Sequence, residues 1–111
     1  MPAGRQGPRT WQLRTRLAGE NGTTVLFLEG RLSHNTAEDF EAAAKAVVRG
    51  GISHLVIDLS AVDYVSSAGL RVFENLSLAQ TQNGARLTLR APSPAARLSL
   101  ELSGLADLVG R

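Results

Sequence analysis

The sequence predicts a single α/β domain, built on a mixed β-sheet of about four strands with helices packed mainly on one face. Two observations lead to this prediction. Apolar patterns of strand period alternate along the chain with patterns of helical period, and that alternation implies parallel crossovers. The first two strand patterns are separated only by a short turn, so they form an antiparallel hairpin that makes the sheet mixed. The chain has 111 residues, of which 43% are hydrophobic and 20% charged, as expected for one globular domain.

The chain begins with a segment that we expect to be a flexible tail. Residues 1–9 are polar and contain two prolines and two glycines. The fold itself is predicted to occupy residues 10–111. Its first strand shows strict alternation of side chains, the period of a half-buried strand. The side chains of the inner face are Trp11, Leu13, Thr15 and Leu17.

A tight turn and a second strand follow. Asn21-Gly22 is one of the strongest hairpin signals that a sequence can contain. The β-branched and apolar residues from 23 to 28 predict a strand antiparallel to the first. Residues 29–35 then predict a loop that leaves the sheet.

The first helix is predicted to begin at Thr36, because Asp39 follows at the spacing of a capping box. Acidic residues crowd its first turns and basic residues lie near its end, which is the distribution that the helix dipole favours. Apolar residues recur at helical spacing on one face. The helix is expected to stop at Gly50-Gly51.

A central strand and a second helix come next. The nearly continuous apolar run at residues 54–59 is typical of a strand that is covered on both faces. Residues 60–65 predict a connecting loop. The double serine at residues 66 and 67 begins a helix, which Asn83-Gly84 ends.

A short strand and a third helix close the alternation. Residues 85–89 predict the strand, and Ser93 can cap a helix whose first residue is Pro94. Leucines dominate that helix and the segment after it. The resulting order is two strands, then helix, strand, helix, strand and helix.

Composition excludes several classes of function. The sequence has no cysteine, which excludes disulfide scaffolds, cysteine nucleophiles and thiolate metal sites. Its two histidines, His34 and His54, lie in separate segments without ligand spacing, and we expect neither a metal nor a cofactor. The motifs of phosphate loops, dinucleotide-binding turns and nucleophile elbows do not occur.

The charge balance and the hydropathy pattern bear on partners and location. There are 12 basic and 10 acidic residues, so we expect no binding to nucleic acid. No apolar run approaches the ~20 residues of a membrane span, so we expect no membrane insertion. The polar start lacks the apolar centre of a secretory signal, and we expect a cytoplasmic protein.

The two serines at the predicted start of the second helix suit the binding of an anion or a partner. A helix N-terminus carries unpaired backbone N–H groups and about half a positive charge, so it accepts a phosphate without distortion. The neighbouring Ala68 and Gly69 are small enough to let another surface approach the hydroxyls. Serine is also a preferred helix cap, and taken alone the two serines favour that structural role.

Three segments of the chain resemble the characteristic segments of the STAS domain, the fold of anti-sigma factor antagonists. Residues 65–72 read VSSAGLRV, similar to the family's common variant Ser-Ser-Ala-Gly-Leu. Residues 30–37 read GRLSHNTA, similar to Gly-x-Leu-Asp-x-x-Thr-Ala. Residues 100–105 read LELSGL, similar to the family's leucine-rich helix followed by Ser/Thr-Gly-Leu. The resemblance runs from about Trp11 to Val109.

The resemblance implies a protein that is regulated by phosphorylation and is not an enzyme. In this family the unmodified antagonist binds an anti-sigma factor, which is often also the serine kinase that modifies it. Alignment on Gly69-Leu70 places the family's phosphoserine at Ser67, and a phosphatase acting on phospho-Ser67 is implied as well. The implied partner-binding surface joins two segments. Its residues are Ser33, His34, Asn35, Thr36, Ser66, Ser67, Ala68, Gly69, Leu70 and Arg71.

Other functions stay open beside this one. Ser33 and Ser66 stand where many members of the family have acidic residues. The same fold also serves as a scaffold in a stress-sensing assembly or as a subunit of a lipid-trafficking ABC transporter, without a phospho-switch. Two alternatives belong to other classes of function. One is a small serine hydrolase that uses Ser67 with His34, and the other is a nucleic-acid-binding arm formed by the arginines before Glu20.

Overall fold

Within residues 13–20 and 22–110, which the computed structural model describes, four strands and three helices follow one another in the predicted order. The strands are β1 (Arg14–Glu20), β2 (Thr23–Leu32), β3 (His54–Val65) and β4 (Arg86–Arg90). The helices are α1 (His34–Val48), α2 (Ser67–Gln82) and α3 (Pro94–Leu102), followed by a single 3-10 turn at Ala106–Leu108. The predicted tail at residues 1–9, Trp11 and Asn21 lie outside the described residues.

The four strands form one mixed sheet, as predicted, in the order β1-β2-β3-β4. β1 pairs with β2 antiparallel, as in the predicted hairpin, whereas β2, β3 and β4 run parallel. α1 and α2 are the crossovers between the parallel strands. Since parallel strands end at the same edge of a sheet, the three helices that follow them all begin at that edge.

The helices pack on one face of the sheet, as predicted. Alternate residues of the strands point to this face and share a buried core with side chains of all three helices. Phe40 of α1 and Phe73 of α2 meet edge to face, with ring centroids 5.7 Å apart. Ala96 and Leu100 extend the core to α3. This packing holds α1 and α2 side by side over the sheet.

The opposite face of the sheet carries charged side chains in ordered pairs. Arg90 donates hydrogen bonds to Asp58 at 2.8 Å and to Glu20 at 3.1 Å, which links β4 to β3 and to β1. Asp58 also accepts hydrogen bonds from the backbone N–H and the hydroxyl of Ser60. Burial disfavours the charge of Asp58, but the hydrogen bonds from Ser60 and Arg90 outweigh it and hold the pKa of the carboxyl below its ordinary value. These side chains therefore stabilise the sheet on the face that the helices leave open.

Two predicted loops are strand in the structure. β2 continues to Leu32 and so includes residues 29–32 of the predicted loop at residues 29–35, the last two of which belong to α1. β3 continues to Val65 through the predicted loop at residues 60–65. The two extensions pair with each other in parallel, with register shifts, one of them just after Gly30. Gly30 has a φ of 117°, a conformation that favours glycine. The shifts break the alternation of buried and exposed side chains, so the sequence pattern does not predict strand there.

The predicted cap of α1 is wrong by three residues, whereas the start of α2 at the double serine and the predicted cap of α3 are confirmed. α1 begins at His34 and Ser33 is its N-cap, so Thr36 is the third helical residue rather than the cap. Ser66 caps α2 and Ser93 caps α3, each accepting a hydrogen bond from the backbone N–H three residues further on. No helix in the described part of the chain is long and apolar enough to cross a membrane.

Candidate functional site

The candidate site lies where β2 and β3 end beside each other. The backbone N–H of Ser66 donates to the carbonyl of Leu32 at 2.8 Å, and this bond joins the end of β3 to the end of β2. α2 starts directly after Ser66 and α1 starts two residues after Leu32, so their first turns are neighbours. The structure thus brings together the two predicted segments, residues 33–36 and 66–71.

The first segment is fixed from within by the hydroxyl of Thr36. This hydroxyl accepts a hydrogen bond from the backbone N–H of Ser33 at 2.9 Å and donates one to the carbonyl of Arg31 at 2.8 Å. Thr36 is buried, whereas His34 and Asn35 are exposed. The buried hydroxyl therefore orders the segment, and the two exposed side chains lie on its surface.

The two serines of the second segment have different environments. Ser66 is half-buried, and its Oγ accepts a hydrogen bond from the backbone N–H of Gly69 at 3.2 Å. Ser67 is the first residue of α2 and is exposed. Its hydroxyl therefore lies at the positive end of the helix dipole, beside N–H groups that the helix cannot pair internally. Of the two serines, Ser67 is the more exposed, and its hydroxyl is not the helix cap.

Gly69 allows α2 to lie close to the end of β2. A Cβ atom at this position would be 2.6 Å from Cγ and 2.8 Å from Cδ2 of Leu32, whose side chain is fully buried. Internal packing therefore requires glycine here. This finding replaces the sequence interpretation, in which the small residue at position 69 served the approach of a partner.

Two of the ten predicted partner-binding residues are not on the surface. Thr36 and Gly69 are buried, and they shape the site from inside instead of contacting a partner with their own side chains. That part of the prediction is corrected. The other eight are exposed or half-buried: His34, Asn35, Ser67 and Arg71 are exposed, and Ser33, Ser66, Ala68 and Leu70 are half-buried.

Two grooves flank the first turns of α2. The larger, of about 560 Å³, lies between α1 and α2 and carries two carboxylates of α1, Glu38 and Glu41. Glu41 pairs with Lys45 at 3.5 Å and accepts a hydrogen bond from Asn75 of α2 at 3.4 Å. The smaller groove, of about 180 Å³, lies between α2 and the turn that follows α3.

Ser67 and Arg71 line both grooves. They are four residues apart on α2, so they are neighbours on one side of the helix and form the ridge between the two grooves. Arg71 is exposed. A group added to the hydroxyl of Ser67 would therefore change both grooves at once.

The smaller groove contains a segment that the sequence-based site does not include. Ser103 and Leu105 line it opposite Leu70 and Glu74. The sequence did carry a signal for this segment, because residues 100–105 are similar to one of the three characteristic family segments. Its position beside Ser67 depends on how α3 packs on the sheet, which no local pattern reveals.

The chemistry of the site is that of recognition. No group of three His, Cys, Asp or Glu side chains in residues 13–20 and 22–110 is placed to hold a metal ion. His34 and Ser67 line the same groove, with Glu38 on the same wall as His34. The arrangement offers an exposed hydroxyl at a helix N-terminus with a groove on each side. The larger groove carries Glu38, Glu41 and Arg71, and the smaller one is lined mainly by polar side chains.

Comparison with known proteins places this geometry in a family. The STAS domain family matches residues 14–110 of the chain. BtrV of Bordetella bronchiseptica, named provisionally as an anti-sigma factor antagonist, is 34% identical over 88 residues, which cover 79% of this chain and 76% of BtrV. The anti-sigma-F factor antagonist RsfB of Mycobacterium tuberculosis is 41% identical over 56 residues, which cover 50% of this chain and 46% of RsfB.

The fold of the chain is also similar to that of a solved anti-sigma factor antagonist. The crystal structure of an anti-sigma factor antagonist from Mycobacterium paratuberculosis superposes with a TM-score of 0.80 at 29% identity. The match covers 90% of this chain and 85% of that chain. The arrangement of strands and helices described above is therefore shared with that protein over nearly its whole length.

Proposed function

The chain belongs to the STAS domain family, and we propose that it is an anti-sigma factor antagonist, which binds an anti-sigma factor and so regulates transcription by the corresponding sigma factor. The names of the relatives BtrV and RsfB support this proposal. The observation that carries it is the position of Ser67, an exposed hydroxyl on the ridge between two grooves. The protein acts by binding, without turnover, and in the cytoplasm.

We place the control of binding at Ser67. The anti-sigma factor is itself the serine kinase in this proposal, and a phosphatase restores the free hydroxyl. Ser66 suits modification less well because its Oγ already accepts a hydrogen bond from the backbone of Gly69. A phosphate on Ser67 joins a helix N-terminus that favours negative charge, so the modified domain keeps its fold.

The same phosphate opposes the complex. It adds about −1.5 to −2 charges and three acceptor oxygens to the centre of the surface. A partner that fits closely around a neutral hydroxyl would have to remove the hydration shell of this dianion. That desolvation is strongly unfavourable unless the partner supplies a compensating positive charge or hydrogen-bond donor. A loss of about 3 to 4 kcal/mol weakens binding by a few hundredfold, which is enough for the partner to be exchanged.

The larger groove favours a basic segment of the anti-sigma factor. Glu38 and Glu41 line it together with Ser67, so a lysine or arginine of the partner could lie beside the hydroxyl. These carboxylates supply negative charge near Ser67, whereas positions 33 and 66 are both serine in this chain. Arg71 lines the same groove and Lys45 pairs with Glu41, so the groove carries charges of both signs. Its carboxylates therefore contribute mainly to the specificity and the rate of association.

A paired capture experiment tests the proposed function. Ser67→Ala and Ser67→Asp proteins serve as baits in a lysate of the native cells, and mass spectrometry identifies what each retains. We expect the Ala bait to retain an ATP-binding anti-sigma kinase and the Asp bait to lose it. Equal retention of scaffold or transporter subunits by both baits would instead support the alternative in which the fold is a permanent subunit without a phospho-switch.

A further inference from the structure

Arg71 places a positive charge beside Ser67. It is exposed on α2, and none of the ion pairs in the described part of the chain includes it. Among the described residues that line the two grooves, it is the only arginine or lysine. An arginine on a solvated surface is ordinary, so a role for Arg71 needs further evidence, which its position relative to Ser67 provides.

The helix directs the side chain of Arg71 toward Ser67. Residues four apart lie on the same side of a helix, with their Cβ atoms about 5 to 6 Å from each other. Helical side chains also lean toward the N-terminus of their helix, so the long side chain of Arg71 lies over the turn that contains Ser67. Both residues line the same two grooves, as this direction requires. The guanidinium is therefore within reach of a group attached to the hydroxyl.

Three carboxylates surround the ridge, and Arg71 forms no ion pair with any of them. Glu74 follows Arg71 by three residues, whereas the side chain of Arg71 leans the other way, toward the start of α2. Glu41 pairs with Lys45. Glu38 belongs to α1, on the far wall of the larger groove. Arg71 is thus available to an anion that binds it more strongly.

We propose that Arg71 is the internal counter-ion of phospho-Ser67, and that its guanidinium forms an ion pair with the phosphate once Ser67 is modified. The inference rests on the proposed function and adds to it how the modified state is held. The order of the charges is favourable, since an anion four residues before a cation stabilises a helix better than the reverse. A guanidinium can also donate two parallel hydrogen bonds to phosphate oxygens.

The phosphate competes well against the carboxylates for Arg71. It carries about −1.5 to −2 charges and three acceptor oxygens, whereas a carboxylate carries a single charge and two oxygens. It is also attached to the same helix one turn away, whereas Glu38 must be reached across a groove from another helix. Both differences favour the pair between Arg71 and the phosphate.

The ion pair changes what a partner meets on the ridge. In the unmodified protein the ridge presents a neutral hydroxyl and a cation that a partner can pair with. After phosphorylation the cation is held by the phosphate, so both grooves lose its charge as the dianion appears. A partner that contacts Arg71 therefore loses that contact and also meets the dianion. One modification alters two side chains of the surface.

A phosphoserine placed at position 67 during translation tests the ion pair without any kinase. Phosphorus NMR measures the second pKa of the phosphate, ordinarily about 6, in the phosphorylated wild type, Arg71→Gln and Arg49→Gln proteins. Arg49 is exposed and caps the far end of α1, about 22 Å from the start of that helix, and its loss changes the net charge equally. Equal urea midpoints of the unmodified wild type and Arg71→Gln would confirm that the variant is folded.

We expect Arg71→Gln to raise the second pKa of the phosphate by about 0.5, roughly a threefold change in proton affinity, because a neighbouring cation favours the dianion. Arg49→Gln should leave this pKa at the wild-type value. The other titratable side chains that line the grooves with Ser67 are the same in every protein compared: His34, Glu38, Glu41 and Glu74. The difference between the proteins therefore reports on Arg71.

The contact itself is observed in the side-chain Nε–H signal of Arg71, which is assigned by its absence in Arg71→Gln. This signal should shift, and exchange more slowly with water, when position 67 carries a phosphate. The inference is overturned if the second pKa is equal in wild type and Arg71→Gln, if Arg49→Gln raises it as much, or if phosphorylation leaves the Nε–H signal unchanged. The capture experiment tests the proposed function separately, because neither readout here depends on an anti-sigma factor.

Discussion

Ser67→Asp should lower the affinity of the protein for the anti-sigma kinase by about a hundredfold, or roughly 2.7 kcal/mol. The substitution places a carboxylate at the first position of α2, where the isolated helix tolerates it because negative charge is favourable at a helix N-terminus. In the complex the same charge is desolvated against a surface that fits a hydroxyl. The effect of Asp is smaller than that expected of a phosphate, which carries about 0.5 to 1 further negative charge and one further acceptor oxygen.

Ser53→Asp is the matched control for this prediction. Ser53 is exposed and directly precedes β3, whereas Ser67 follows the end of that 12-residue strand. The two serines are thus separated by roughly 40 Å along the strand, yet both substitutions change the net charge equally. Titration calorimetry should show wild-type affinity for Ser53→Asp. An equal loss of affinity in both variants would mean that overall charge, rather than the site at Ser67, governs binding.

Gly69→Ala should lower the free energy of unfolding by about 1 to 2 kcal/mol. Alanine is a better helix former than glycine, and that effect alone would stabilise α2 by up to ~1 kcal/mol. The added Cβ would, however, lie 2.6 Å from Cγ of Leu32, whose side chain is fully buried and so cannot turn out into solvent. Inserting an atom into a well-packed core costs about 1 to 3 kcal/mol, so the steric effect outweighs the helix propensity.

Urea denaturation measures this change, and Gly19→Ala is its control. A Cβ at Gly19 of β1 meets no atom within 4 Å, so this substitution adds the same methyl group without a clash. We expect Gly19→Ala to unfold at the wild-type midpoint or slightly above it. Because Gly69 positions the first turn of α2, Gly69→Ala should also weaken binding of the kinase. Unchanged stability of Gly69→Ala would show that α2 does not approach Leu32 as closely as described.

The parts of the fold that were predictable are those set by local sequence signals. Ser93 and Pro94 mark the start of α3 because cap and first-turn preferences act within a few residues. The antiparallel hairpin follows from a short turn between two strand patterns. The alternation of strands and helices then requires parallel crossovers, which leaves few other topologies for a sheet of four strands.

The parts that were not predictable depend on pairing between distant segments. The extension of β2 to Leu32 and of β3 to Val65 exists because each pairs with the other, and the register shifts hide the strand period. Thr36 resembles a helix cap in the sequence, but Ser33 takes that position because β2 ends only one residue earlier. The role of Gly69 in packing is invisible without Leu32 beside it.

The candidate site also has a part that the sequence predicts and a part that it does not. Ser66 and Ser67 could be placed at the start of α2 from their own segment, and the structure then shows Ser66 occupied as the cap and Ser67 exposed. The turn at residues 103–105 could not be placed beside them, because about 35 residues of chain separate it from Ser67. Only the packing of α3 on the sheet brings the three segments together.

Phosphorylation by the captured kinase tests the central claim most directly. The purified wild type, Ser67→Ala and Ser66→Ala proteins are incubated with the kinase and ATP, and the modified residue is located by mass spectrometry of peptides. Ser66→Ala removes the cap of α2, at a cost of about 0.5 to 2 kcal/mol, but leaves Ser67 in place. We predict one phosphate on Ser67 in the wild type and in Ser66→Ala, and none in Ser67→Ala. Phosphate uptake by Ser67→Ala at the wild-type rate, or no uptake by the wild type, would contradict the assignment of Ser67 as the switch.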